Sequence, residues 1–193
     1  MISKISICNL ALAQLGQSPI LSLEQENEKA RRLKLFYEPV RDEVLRTHNW
    51  AFAGVCEPLS LIEEQADSQG RFVYKYPSDS LFIRRVFTAG CPRMVFQEFF
   101  RRDLSCRVLV IPAKQAYAEY TRRIIDENLF DAAFIKSFSL ALACDLAVAL
   151  TADSQLAAQL LQKYTISLEE ARRSNSAETF IKMPQQDAFT EVR

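Results

Sequence analysis

Few residues in this chain could carry out chemistry. There is one histidine, His48, so any Ser-His-Asp triad or Cys-His pair would have to use it. It stands at the expected end of a helix beside Asn49 and Trp50. A helix-dipole interaction or a hydrogen bond inside a corner accounts for it there. The 5 cysteines, Cys8, Cys56, Cys91, Cys106 and Cys144, are odd in number and widely spaced, with none of the close spacings of a zinc knuckle or a redox motif. Cys8 and Cys144 fall in apolar helical patterns and read as small, buried, reduced thiols. One histidine and scattered cysteines make no metal-ligand cluster. The acidic groups Glu24, Glu26 and Glu28, then Glu63, Glu64 and Asp67, read as helix N-terminal charge and a solvated loop rather than an acid/base pair. Neither GxGxxG nor GxxxxGK[ST] occurs. No catalytic residue, cofactor or metal is expected.

Basic and aromatic residues point to contacts instead. Five arginine pairs occur: Arg31-Arg32, Arg84-Arg85, Arg101-Arg102, Arg122-Arg123 and Arg172-Arg173. They are dispersed and balanced by acids, which favours solvated or interfacial arginine over DNA contact. Phe96, Phe99 and Phe100 cluster beside Arg101 and Arg102. They form either local core or a contact surface for a partner. A polar tail carries Phe180, Ile181, Met183, Phe189 and Val192, which could dock in a partner's groove once that partner supplies one. The candidate partner-binding residues are therefore Phe99, Phe100, Arg101, Arg102, Phe180, Ile181, Met183 and Phe189.

The elements that must position these residues follow from composition and period. The chain has 193 residues, 49% hydrophobic and 25% charged, the balance of a globular domain. Lys+Arg and Asp+Glu both number 24, a formal net charge of +0, which argues against a dedicated nucleic-acid binder and favours self-association. Only 4 glycines leave little material for phosphate loops. The N-terminus lacks a secretory pattern, and the longest apolar run, Phe138 to Leu150, is too short to span a bilayer. A soluble intracellular chain with no membrane contact is expected.

Helical spacing runs from about Ser3 to Leu15, stopped by Gly16. Ser22 is the expected cap for a second helix, about Glu26 to Thr47, whose stripe Ala30, Leu33, Tyr37, Val40, Val44 continues in phase across Pro39, where the lost backbone hydrogen bond predicts a kink. β-like stretches follow at Phe72–Tyr76, Leu81–Phe87, Arg93–Phe99, Arg107–Ile111 and Ala116–Ile124. A third helix, about Leu129 to Leu150 with Asp126 or Asn128 near its cap, carries the stripe Phe130, Phe134, Phe138, Leu142, Leu146. Ala133, Ser137, Ala141 and Cys144 put small groups on an adjoining face. A fourth helix, about Ser154 to Ser174, turns Leu156, Leu160, Leu161, Tyr164, Leu168 and Ala171 inward and leaves a wet face that includes Arg172. The fold expected is α+β but mainly α: a bundle of about four helices (1–53 and 126–176), an inserted antiparallel β-rich subdomain (54–125), and an extended tail (177–193). Such a chain without an active site is an interaction or structural protein.

Four stretches resemble the tail tubular protein A, or head-to-tail adaptor, family of short-tailed bacteriophages and related prophages: Asn9–Ala53 (NLALAQLGQSPILSLEQENEKARRLKLFYEPVRDEVLRTHNWAFA), Phe72–Phe87 (FVYKYPSDSLFIRRVF), Ala116–Thr151, and Leu156–Arg172 (LAAQLLQKYTISLEEAR). The likeness lies in their order and spacing, not in any catalytic motif. It implies a helical bundle with an inserted β-rich subdomain. It also implies a homo-oligomeric ring in the virion neck, twelve-fold in this family, seated between the portal protein and the tail nozzle. Packaged DNA would pass through the channel without sequence-specific binding. The subunit would be made in the host cytoplasm and stay monomeric until it meets the portal. The alternative is a helical regulatory or scaffolding protein that binds a protein partner.

Overall fold

The computed structural model describes residues 2–63 and 67–178. Ser3 opens helix α1 (Lys4–Gln14) with a reciprocal cap, its hydroxyl accepting from Ser6 N–H while the Ser6 hydroxyl takes the Ser3 N–H. Gly16 closes it at φ +64, the left-handed geometry of a helix stop. Helix α2 (Glu28–Arg46) is capped by Asn27, whose side chain accepts from Ala30 N–H at 2.8 Å. Ser22 instead accepts from Glu24 N–H in the preceding turn, so its expected capping role is corrected. Pro39 lies inside α2 and the helix continues through it.

Helix α3 (Ala132–Thr151) is capped by Asp131, while Asp126 caps the short 3-10 turn Glu127–Leu129 ahead of it. Phe130 therefore precedes the helix and packs under it. Helix α4 runs from Ser154 to Glu178, beyond the expected stop at Ser174, so Ala177 and Glu178 are helical rather than extended.

α3 packs against α1, α2 and α4. Phe134, Phe138, Leu142 and Leu146 are fully buried, and Ser137 and Ser167 hydrogen-bond across the α3–α4 contact at 3.0 Å. The small face of α3 is thus where α4 approaches. Leu161 is exposed rather than inward. α3 is long and apolar enough to cross a membrane by length and composition, which corrects the shorter apolar run read from the sequence. Its buried length lies in this core.

Among the described residues, eight strands, all antiparallel in their pairings, lie between α2 and α3. β1 (Gly54–Pro58), β8 (Tyr117–Arg122), β4 (Ser80–Thr88) and β5 (Cys91–Met94) form one sheet in that order. β2 (Leu61–Glu63), β3 (Phe72–Lys75), β7 (Cys106–Ile111) and β6 (Gln97–Arg101) form the other. Tyr74, Leu109 and Ile111 from one sheet and Ile83, Val86, Ala118 and Tyr120 from the other close a second core. The described residues are 47% helical and 24% strand. This overturns the mainly-α bundle expected from the sequence: the chain is α+β, with two four-stranded sheets carrying their own apolar core.

Two irregularities in β4 join the cores. Its register against β8 shifts between Ser80 and Phe82 and again between Ile83 and Arg85, leaving Leu81 and Arg84 as the extra residues. A bulge re-aims its side chain. Leu81 accordingly joins the helical core, while Ile83 and Val86 stay in the sheet core. Phe138 sits at the centre of the helical core, 5.1 Å from the Tyr37 ring and 6.0 Å from Phe134. Phe138→Ala is expected to cost about 3–5 kcal/mol, read as a lowered midpoint in denaturant unfolding.

Candidate functional site

The single histidine is built into a junction. Past Thr47 the chain turns through His48 and Asn49 to Trp50, which is fully buried and donates its indole N–H to Val44 O at 3.1 Å. The last turns of α4 close over this corner. Asn175 Oδ1 accepts from Ala51 N–H at 2.8 Å, and its Nδ2 reaches Asn49 O at 3.2 Å and His48 Nε2 at 3.0 Å. Arg172 donates to Thr47 O at 2.9 Å, so it belongs to the junction and not to a wet face. With Asn175 Nδ2 as donor, His48 Nε2 accepts and the ring is neutral. Burial, then the Arg172 and Arg84 charges, hold the imidazole below its ordinary pKa. No carboxylate or thiol bonds to it among the described residues. The corner is suited to fixing a turn.

Arg84 completes the junction from below. Its side chain is 7% exposed; it donates to Trp50 O at 2.7 Å and to Thr121 Oγ1 at 2.9 Å, with Glu119 at 3.7 Å. Burial lowers its pKa, opposed by Glu119.

The other candidate groups are also occupied structurally. Burial pushes the Cys8 thiol up to about 12 and the Cys144 thiol to about 11, which leaves both protonated and poorly nucleophilic. Glu24 pairs with Lys34, and Glu28 with Arg32. Asp67 accepts from the backbone of Gln69 and Arg71 and from the Arg71 side chain, and that hydrogen bonding holds its carboxyl below the usual range. Glu64 lies outside the described residues. No group of three or more His, Cys, Asp or Glu suited to a metal occurs among the described residues.

The arginine pairs divide. Arg85 meets Glu119 at 2.6 Å, Arg123 meets Asp42 at 2.8 Å and Arg173 meets Glu169 at 3.8 Å. Arg101 is held between Glu63 and Asp103 at 2.7 and 2.5 Å. Arg102 is exposed. Phe96 packs against the sheet core, whereas Phe99 and Phe100 are 50% and 65% exposed. β6 pairs only with β7 among the described strands. The structure thus brings Phe99, Phe100, Arg101 and Arg102 together on an edge strand and its turn, beside exposed Val95. Phe180, Ile181, Met183 and Phe189 lie outside the described residues.

Two further surfaces escape sequence reading. One is a hollow of about 460 Å³ where Pro39, Arg41 and Asp42 of α2 face Arg123 and Ile125. Ile125 is 71% exposed, and Leu35, one turn from Pro39, is 68% exposed. The other is a groove of about 450 Å³ between α1, α3 and α4. Leu35 and Ile166 were detectable in principle, as large apolar residues on otherwise polar helix faces.

No protein-family model matches the sequence, and no curated protein matches it.

Two outcomes follow from the junction. The His48 pKa is lower in the folded chain than in the unfolded one, so the unfolded state binds more protons below about pH 6.5. The neutral imidazole's contribution is complete above that pH and is lost as pH falls toward the folded pKa. Unfolding free energy measured between pH 7.5 and 5 should decline less in His48→Gln than in the unaltered chain. Asn175→Ala leaves Ala51 N–H and Asn49 O without this partner and should cost about 1–3 kcal/mol, checked by chemical denaturation.

Proposed function

We propose that this chain is a structural virion subunit, a head-to-tail adaptor of a short-tailed phage. It forms a closed homo-oligomeric ring between portal and tail nozzle and does no catalysis. The reading begins from the four stretches that resemble that family. Each lies on a continuous structural unit: α1 with α2 and the turn at Trp50; β3 with β4; β8 with α3; and the body of α4.

The observation that carries it is a pair of dissimilar exposed patches. A ring subunit meets its two neighbours through different surfaces, because head-to-tail contacts generate rings when the rotation closes. One patch is the β6 edge, where Phe99 and Phe100 are exposed on opposite faces of the strand, with Val95 exposed just before it. The other is the α2 hollow with Pro39 and Ile125 beside Arg41, Asp42 and Arg123, with exposed Leu35 one turn of α2 away. Aromatic anchors with arginine nearby are what interface centres favour. The zero net charge suits a conduit, since each phosphate neutralised would add salt-dependent grip on passing DNA.

The test is to mix the purified chain with the portal ring encoded in the same genome and image the product by electron microscopy. A ring of this subunit stacked on the portal is expected, with the chain alone sedimenting as monomer. Phe99→Ser with Phe100→Ser should leave the thermal melt in place and weaken ring formation by at least about tenfold, the scale of one interface hot spot. A chain that never associates with the portal overturns the reading.

A further inference from the structure

We propose that the groove between α1, α3 and α4 is the seat of this chain's own C-terminal segment, residues 179–193. The proposal does not depend on the adaptor reading.

The groove encloses about 450 Å³; Leu10, Ile135 and Ile166 give it an apolar wall, and Lys136, Lys163 and Glu170 stand at its rim. Leu10 is 44% exposed and Ile166 60% exposed, so three helices converge on a concavity whose apolar side chains still meet water. Lys136 reaches Glu170 at 3.5 Å. Lys163 has no ion-pair partner among the described residues, which leaves one rim cation available to a carboxylate.

The occupant is chosen by position, reach and charge. The described chain ends at Glu178 on α4, the helix that also supplies Lys163, Ile166 and Glu170. At 1.5 Å per helical residue, the groove lies about 12–22 Å back along α4. Fifteen residues of extended chain reach roughly 50 Å, more than the return needs. Pro184 lacks a backbone N–H and disfavours a helix continuing through it. Beyond it, Asp187 and Glu191 flank Phe189 at two residues either side. In an extended segment all three share one face. That face matches an apolar slot with lysines at its lip: the phenyl ring enters and the carboxylates meet Lys136 and Lys163. Seated this way, the segment takes Leu10 and Ile166 out of water.

Photo-crosslinking in the full chain tests this. Benzoylphenylalanine replaces Phe189, the dilute protein is irradiated, and crosslinked peptides are identified by mass spectrometry. Crosslinks within one chain to α1, α3 and α4 residues of the groove are expected. Ile166→Glu should lower their yield about tenfold, while Leu161→Glu, exposed on the same helix but outside the groove, leaves it unchanged. Lys163→Glu should also lower the yield, and adding Asp187→Lys and Glu191→Lys should restore it; both changes are at polar positions, so this pair reads out docking without burdening the core. Crosslinks outside the groove overturn the proposal. So do crosslinks to a second copy whose yield rises with concentration, yields insensitive to Ile166→Glu in a folded protein, or charge reversal without rescue.

Discussion

The structure depends on one buried contact, the Arg84 guanidinium against the Trp50 carbonyl. Trp50 ends the helical run and opens the strands. Its ring packs edge-on to His48 and Phe134, inside the helical core, while its carbonyl faces the sheets. Arg84 reaches that carbonyl only because it occupies a bulge in β4. Burying a guanidinium is costly unless its donors are met; here Trp50 O and Thr121 Oγ1 meet them and Glu119 supplies opposite charge. Gly54 is part of the same contact. A Cβ there would lie 2.7 Å from Arg84 Nη1, so a side chain at this position would displace the guanidinium tip. α4 then seals the corner from the other side through Asn175 and Arg172. Two cores that share few side chains are thereby held in one arrangement.

α3 shows how composition becomes packing. It is apolar on most of its circumference because three helices contact it. Phenylalanines fill the side toward α2 and the Trp50 corner, and Ser137 marks where α4 comes close enough for a hydroxyl-to-hydroxyl bond. Tyr37 serves both needs at once. Its ring packs on Phe138 while its hydroxyl donates to Glu127, which satisfies the polar end of a buried aromatic residue.

The helices were legible in the sequence because their stripes are long and in phase; Pro39 does not interrupt the stripe of α2, and it does not interrupt the helix. Caps were less legible. Ser22, Asp126 and Asn128 have the right chemistry for capping, and so do Asn27 and Asp131; period alone does not choose among neighbours. The weight of β-structure is less legible, for physical reasons. Gly54–Pro58 and Leu61–Glu63 are short, and the first is exposed along most of its length, so neither shows alternation. Arg93–Phe99 reads as one strand, yet β5 ends at Met94 and β6 begins at Gln97 in the other sheet. The bulges at Leu81 and Arg84 leave no trace in a string of β-formers. Arg84 consequently looks like surface charge beside Arg85, though one is buried and the other is not. Of the contact candidates, Phe99 and Phe100 could be found from clustering. The hollow beside Ile125 could not, because it is assembled from α2 and the segment after β8.

Charge neutrality in this chain is local as well as global. Arg32, Arg71, Arg85, Arg101, Arg107 and Arg123 each face a carboxylate within 3 Å. Exposed pairs of this kind add little stability, but they change the field the surface presents. An approaching phosphate must compete with a carboxylate already in hydrogen-bond contact. A row of arginines so paired does not act as a basic stripe, even where two are adjacent in sequence. Two of the cations without an ion pair among the described residues, Arg102 beside Phe100 and Lys163 at the groove between α1, α3 and α4, stand next to exposed apolar side chains. At these two places unpaired charge and exposed apolar surface coincide, the combination that interface centres favour.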